Sequence, residues 1–488
     1  MSASLIRRRG ARVLLLLGTA VSASPALAGD MPATPQGAQT LQALFDRFLP
    51  PAAAGGPALV TVTPEVHDYL VSTDLSAFNG LIKASGAAAF YEPATLAYKL
   101  FEQDDGKWRV VQDSLPRIVS HAGEATSTVE IDNFKQTVLI DPALAWWLGG
   151  SASADKGVLT LRAPKVDETF EFGAVKGDYA TTVKPDGSVS STLKDEIDDV
   201  AFKLSAAGED AKAVNGSGRL DKAAFHLGVD GLKTRRLFDL MSLLSAHRAD
   251  LASHETELKG LLKELAAPGL KFAEGGEASK VMIASPYGAT AMASFKLAVG
   301  VANEGPQSAI DAAISAEGLS LPVALMPPGA ADLTPSKIDL AATFKGIDIA
   351  AAANEAIADM RLTGSGPAIS DADSSKVAAA LLSAGPMRIE LAPSHVVAPA
   401  IDADVQGEIR YAVGKPSGAM TIRMRNFDKT MAAIKALGPD IAAKSIPVVA
   451  MAKGLAKTES DGSLSWVVEI GGDRSIKVNG VPLGKTPD

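Results

Sequence analysis

The residues Val478 to Asp488, VNGVPLGKTPD, hold glycine, lysine and threonine in the order of a phosphate-binding loop. Such a loop needs glycine, four residues and then Gly-Lys-Ser/Thr, placed between a strand and a helix whose N-terminus takes the phosphate. Here only three residues separate Gly480 from Gly484, and Pro487 follows Thr486 at once. Spacing and context both fail, and Asn479-Gly480 is expected to be a hairpin turn instead. Six histidines are present: His67, His121, His226, His247, His254 and His395. His254-Glu255 lacks the second histidine of a zinc-protease helix. His247 and His254 fall on one face of an expected helix, two turns and about 10.5 Å apart, too far for one metal to bridge. They are expected to be boundary histidines. Asp195-Glu196 and Asp198-Asp199 supply carboxylates of the kind a glycosidase pairs, but their polar surroundings mark them as solvated charge. No G-x-S-x-G nucleophile turn occurs, and Gly216-Ser217-Gly218 and Gly364-Ser365-Gly366 look turn-like. The absence of cysteine removes thiol catalysis, disulfides and thiolate metal ligands together. No catalytic, cofactor-binding or metal residue is assigned, and no cofactor is expected.

The elements that would position any site are legible from periodicity. Gln39 to Leu49 has an apolar side at Leu41, Leu44, Phe45 and Phe48 and predicts a helix ended by Pro50-Pro51, with a flexible leader at 29–35 before it. From Ala58 to about Leu227, strict alternation (KQTVLI, GVLTLRA, VAFKLS) punctuated by Asp105-Gly106 and Asp186-Gly187 predicts an antiparallel meander. Pro142 to Leu148, with Trp146 and Trp147, is expected to interrupt it as a helix or loop. A second idiom then recurs, in which a short strand runs into an Asp or Asn that caps a following helix. Asp230, Asp348 and Asp428 mark the expected caps, and YLVSTDLSAFNGLI from Tyr69 is a weaker copy. Thr234 to Ala266 predicts one long helix, with leucines every seven residues from Leu237 to Leu265 and a stripe wide enough to lie on a sheet. Alternation returns over Lys280–Val301 and Ser308–Leu321, Pro322 to Pro335 is a connector, and the tail after Asp461-Gly462 is a small meander.

The first residues, MSASLIRRRGARVLLLLGTAVSASPALAGD, have the parts of a secretory signal: four arginines, a short apolar core from Val13 to Val21, and Ala26-Leu27-Ala28 before the cut. Cleavage after Ala28 by the general export route is expected. Removing those arginines takes the formal balance from −9 to −13. An acidic chain with 5% aromatic residues is a poor partner for nucleic acid or an anionic membrane. No later run is long and apolar enough to span a bilayer, so no transmembrane segment is expected in the mature chain. A periplasmic location follows.

In the last third, a helix (NFDKTMAAIKAL), a second helix (VVAMAKGLAKT), a DG turn and closing strands (RSIKVNGVPLGK) resemble the ending of bacterial envelope proteins grouped as periplasmic domains of unknown function, mainly alphaproteobacterial. A more distant similarity is to the YdgA-like envelope family, whose members often close with a VNG-type strand. The strand, leucine-rich helix and paired strands of Val229–Val299 add to this. The resemblance implies an envelope location and β-rich architecture, and transfers no site residue.

Together these expectations describe an α+β protein, elongated, with large antiparallel sheets and amphipathic helices packed on one face. A signal peptide (1–28) precedes an N-terminal β-rich lobe (29–224) and a C-terminal α+β lobe (225–488). The expected function is non-enzymatic binding of a lipid or other hydrophobic ligand between sheet and helices. The alternatives are a structural or protein-interaction component of the periplasm, dimerising through the 234–266 helix, and a carboxylate-dependent hydrolase.

Overall fold

The computed structural model describes residues 30–49, 58–84, 86–207, 213–247, 250–327, 329–362, 369–412 and 415–485. The signal sequence, its cleavage point, Pro50-Pro51, the Gly364–Gly366 segment and Thr486 to Asp488 lie outside them. The fold is α+β and strand-dominated, and the pairings between its strands are antiparallel. The chain divides into two compact units, Met1–Asn215 with Lys222–Leu261, and Gly216–Asp221 with Leu262–Asp488. It therefore passes between units three times, after residues 215, 221 and 261, where sequence periodicity placed a single division near residue 225.

The first unit opens with helix α1 (Pro35–Phe48), capped by the Thr34 hydroxyl, which accepts from the Gly37 N–H at 3.0 Å. The segment before it is tied down rather than loose: Asp30 bridges to Gln103 and pairs with Arg109 at 2.6 Å. The strands are β1 (Val60–Pro64), β2 (Tyr69–Asp74), β3 (Ala89–Tyr91), β4 (Thr95–Glu102), β5 (Trp108–Gln112), β6 (Ile118–Ala122), β7 (Ala125–Asp132), β8 (Lys135–Asp141), β9 (Trp146–Ala154), β10 (Lys156–Ala163), β11 (Val166–Phe172), β12 (Val175–Val183) and β13 (Val189–Ala207). A short helix, α2 (Asn79–Ala84), follows a single turn that Asp74 caps through the Ser76 N–H.

Consecutive strands form a meander of unusual layout. β7 and β8, β9 and β10, and β11 and β12 are successive halves of long strands, and both β11 and β12 pair with β13. The interruptions line up. Asn133 takes φ 52° and donates from Nδ2 to Asp155 Oδ2 at 2.8 Å, and the Gly173 N–H reaches the Asp198 carbonyl at 2.8 Å beside Asp199 at φ 50°. Asn, Asp and Gly are the residues that tolerate such conformations, so their row fixes where each strand breaks. Trp146 and Trp147 belong to β9; only the turn at 142–145, with Ala145 at φ 51°, interrupts the chain there, which corrects the expected helix or loop.

β14 (Ala213–Leu232) leads to α3 (Thr234–Ala246) and α4 (Glu255–Leu265). The single helix expected over 234–266 is thus broken, and with it the continuous leucine seam that a dimer would use. Burial falls on Leu240 and Leu243 in α3 and on Leu258 and Leu261 in α4, while Leu244 is exposed.

The second unit carries β15 (Lys271–Ser285), β16 (Gly288–Ala302), β17 (Ser308–Glu317), β18 (Lys337–Ile347), β19 (Met387–Ala398), β20 (Ile401–Ala412), β21 (Lys415–Arg425), β22 (Lys457–Thr458), β23 (Leu464–Ile470), β24 (Ser475–Val478) and β25 (Val481–Lys485). From β15 to β21 each strand pairs with the next, and β21, β23, β24 and β25 continue the series. Helices α5 (Ile349–Asp359) and α6 (Asp371–Leu381) interrupt between β18 and β19, and α7 (Phe427–Ala436) and α8 (Pro439–Leu455) between β21 and β22.

Of the three expected caps only Asp348 is one, accepting from the Ala351 N–H at 2.8 Å. Asp230 stays in β14 and pairs with Lys184, and Asp428 is already inside α7, whose N-cap Asn426 makes no side-chain cap. The strand-to-helix turns there are set by backbone geometry, with Asn426 at φ 58°. The Asn479-Gly480 hairpin forms as expected, with Val478 facing Val481 and both turn residues at positive φ.

Candidate functional site

Period-two alternation sorts the second unit's sheet into two unlike faces. One face carries the charges: Lys296 pairs with Glu277, Lys337 with Glu317 and Lys345 with Glu390, while Lys345, Arg388 and Arg410 stand side by side across β18, β19 and β20. Arg425 spans Asp402 and Asp404 at 2.7 Å each, and His395 Nε2 lies 3.0 Å from Asp402. The other face is apolar over β16, β17 and β18, with Glu274 of β15 beside Val299 at its border. Leu297 faces Ile314 and Ile314 faces Leu340; the adjacent rows are Val299–Ala312–Ala342, Phe295–Ala316–Ile338 and Val301–Ile310–Phe344. On β16, β17 and β18 these rows carry no charge. They extend about 20 Å along the strands at a rise of about 3.3 Å per residue.

Helices cover only part of this face. Across β21, β23 and β24, Phe427, Met431 and Val449 pack onto Ile422, Trp466 and Val478, and the Trp466 indole N–H donates to the Ala452 carbonyl at 2.7 Å. Over β16 to β18 the side chains remain open: Leu297 is 47% exposed, Ile314 and Leu340 38% each. Single exposed apolar residues are ordinary, but a contiguous apolar face across three strands is the kind of surface that marks a binding site. The apolar surface is thus the sheet itself. The depression between α7 and α8, about 660 Å³, is rimmed by Lys435, Lys453 and Asp428 and is more polar. Another, about 680 Å³, lies on the charged side among Lys345, Arg388, Arg410 and Glu304.

The residues singled out for chemistry are placed far from one another in role. Asp195 is not solvated charge. It stands beside Leu193 and Ile197 on the side of β13 that turns Ser191 and Val189 inward, opposite Gly177, and its buried Oδ1 has no hydrogen-bond partner. Burial, with the nearby Asp178 charge, pushes its carboxyl up to about 6. Asp178 pairs with Lys194 on the opposite side of the sheet, so the two carboxylates cannot address one substrate. Glu196 is exposed and bound to Lys222, and Asp198 and Asp199 form the strand break. The signal for Asp195 was present in the alternation Leu193-x-Asp195-x-Ile197, masked by its charged neighbours. Gly216-Ser217-Gly218 is strand, not turn. Gly480 and Gly484 flank and close a two-strand hairpin.

His247 and His254, expected two turns apart, have their rings stacked with centroids 3.5 Å apart. α3 ends at Ala246, and a single helical turn at Leu251–His254 precedes α4, so the two histidines do not share one helix. No helix among the described residues is long and apolar enough to cross a membrane. The chain matches no family model, no curated protein and no solved structure.

Proposed function

We propose that this chain is an exported envelope protein that binds a lipid, or another molecule with a long apolar chain, on the open face of β16, β17 and β18, without catalysing a reaction on it. The observation that carries this is the row Leu297–Ile314–Leu340, exposed on a face whose other rows are also apolar. Covering one such side chain is worth about 1–2 kcal/mol, so a ligand lying along several rows gains enough to bind. The signal-like leader and the resemblance of the Val229-onward stretch to envelope proteins support the location. The test is mass spectrometry of the protein purified gently from the periplasm, compared with a Leu297→Asp/Ile314→Asp variant. A stoichiometric apolar molecule on the wild type, lost by at least about tenfold in the variant, is expected. Equal occupancy of both, or an empty wild type that takes up no added lipid, overturns the proposal.

One observation favours a protein-interaction role as well. Ile441, Val448 and Met451 form an exposed apolar stripe on α8, and the stripe is of the kind a partner helix covers. Here the prediction is a self-association or capture that Val448→Lys abolishes, read by analytical ultracentrifugation.

A further inference from the structure

We infer that His247, Asp250 and His254 form a binding site for a divalent transition-metal ion, zinc in the first instance. In a continuous helix the two histidines could not meet. Here α3 ends at Ala246, the His247 N–H still bonds to the Leu243 carbonyl, and the Asp250 N–H turns back to the His247 carbonyl at 3.1 Å. A single turn of helix, Leu251–His254, then leads into α4. The break stacks the two rings and leaves Asp250 at their edge, within reach of one nitrogen of each. Its Oδ1 lies 3.5 Å from His247 Nδ1 and its Oδ2 3.8 Å from His254 Nε2. The three candidate ligand atoms all lie within 4.8 Å of one another. Around a tetrahedral zinc with bonds of about 2.0–2.2 Å, ligand atoms sit about 3.4 Å apart, so the set is completed when the two rings turn out of their stack and aim their in-plane nitrogens at one ion.

The site also has the outer partner that metal-bound histidines use. Glu257 Oε2 is 3.7 Å from His254 Nδ1, the ring nitrogen left over when Nε2 takes the ion. A carboxylate there holds the proton on Nδ1 and fixes the ring's orientation. Two imidazoles and one carboxylate favour zinc, copper or nickel over magnesium or calcium, which want more oxygen ligands. All three side chains are partly open to solvent, which gives the ion a way in and leaves a coordination position for water. His395 shows the contrast: it too has two aspartates near it, but the Arg425 guanidinium occupies both.

The test uses the tag-free full chain after chelator treatment, titrated with zinc chloride by calorimetry and followed by thermal unfolding. One zinc per chain and a zinc-dependent rise in Tm are expected. His247→Ala, His254→Ala and Asp250→Asn should each weaken binding by at least about tenfold, and Glu257→Gln by about tenfold, with His395→Ala unchanged. Asp250→Asn keeps the side-chain shape and guards against a variant that merely misfolds. The inference is overturned if the wild type gives neither heat nor a Tm shift, or if the His247→Ala/His254→Ala double variant binds zinc as the wild type does.

Discussion

At Asp195 a carboxylate stands on the inward side of the first unit's sheet, with Leu193 and Ile197 in line and no hydrogen bond to its buried oxygen. Its acidity responds to that place: burial first, then the Asp178 charge, raise it to about 6. A carboxyl raised in the folded state gives its full support to the fold below the unfolded value near 3.8 and loses it as pH climbs through about 6. Above that, the ionised group is a burden. Asp195→Asn should therefore stabilise the protein at pH 7.5 by about 1–2 kcal/mol, after discounting for its partial contact with water. The gain should shrink as pH falls from about 6 to about 4. Urea unfolding across that range checks it, and a gain independent of pH would show that the charge is not the cause. At this scale sequence reasoning was weakest. A charged residue flanked by Lys194, Glu196, Asp198 and Asp199 looks solvated, and only the alternation with Leu193 and Ile197 says otherwise. The caps were misjudged for a related reason. An aspartate near a helix start can lie in the strand before it, as Asp230 does, or inside the first turn, as Asp428 does.

Among the elements, strands were the most legible because most strands of the meanders alternate, and alternation is a direct print of the pleat; β9, WWLGGSASA, does not, and its start was missed. What alternation does not print is where a strand breaks. Of the aligned breaks at Asn133, Asp155, Gly173 and Asp199, sequence reading touched only Asp199, and took it for solvated charge. Asn133 at φ 52° is one of the residues on which that alignment depends. Asn133→Val, β-branched and forced into the left-handed region, should cost about 1–2 kcal/mol, and Asn133→Gly should be close to neutral. Thermal unfolding of the two variants side by side tests this; equal effects would mean that the side-chain bond to Asp155 matters more than the backbone. The break between α3 and α4 was hidden differently. Leucines continue at intervals of seven straight through it, and no proline or glycine stands between His247 and Asp250. Only the tertiary structure reveals that Leu244 faces out while Leu243 faces in.

On the scale of the whole molecule, the second unit places its ion pairs on one face of the sheet and Leu297, Ile314 and Leu340 on the other, with Glu274 on β15 at the border of the apolar rows. The alternation that produces the two faces was visible in the sequence, but not that helices would leave the apolar one open over β16 to β18. Because the proposed ligand meets no charge on these strands, its affinity should hold within about twofold between 50 and 500 mM salt, since screening acts on charges and not on apolar burial. Tryptophan-independent lipid titration at the two salt concentrations checks this, and a steep loss with salt would relocate binding to the charged side. The same unit has a further property that follows from its order of strands. Each strand from β16 to β21 pairs with the one made just before it, and the two helical detours, through α5 and α6 and through α7 and α8, each return to the strand they left. Contacts so local in the chain close small loops, which is the condition for rapid acquisition of structure. Nothing in this series waits for a distant segment to arrive, so the sheet can assemble progressively from either end, one hairpin at a time.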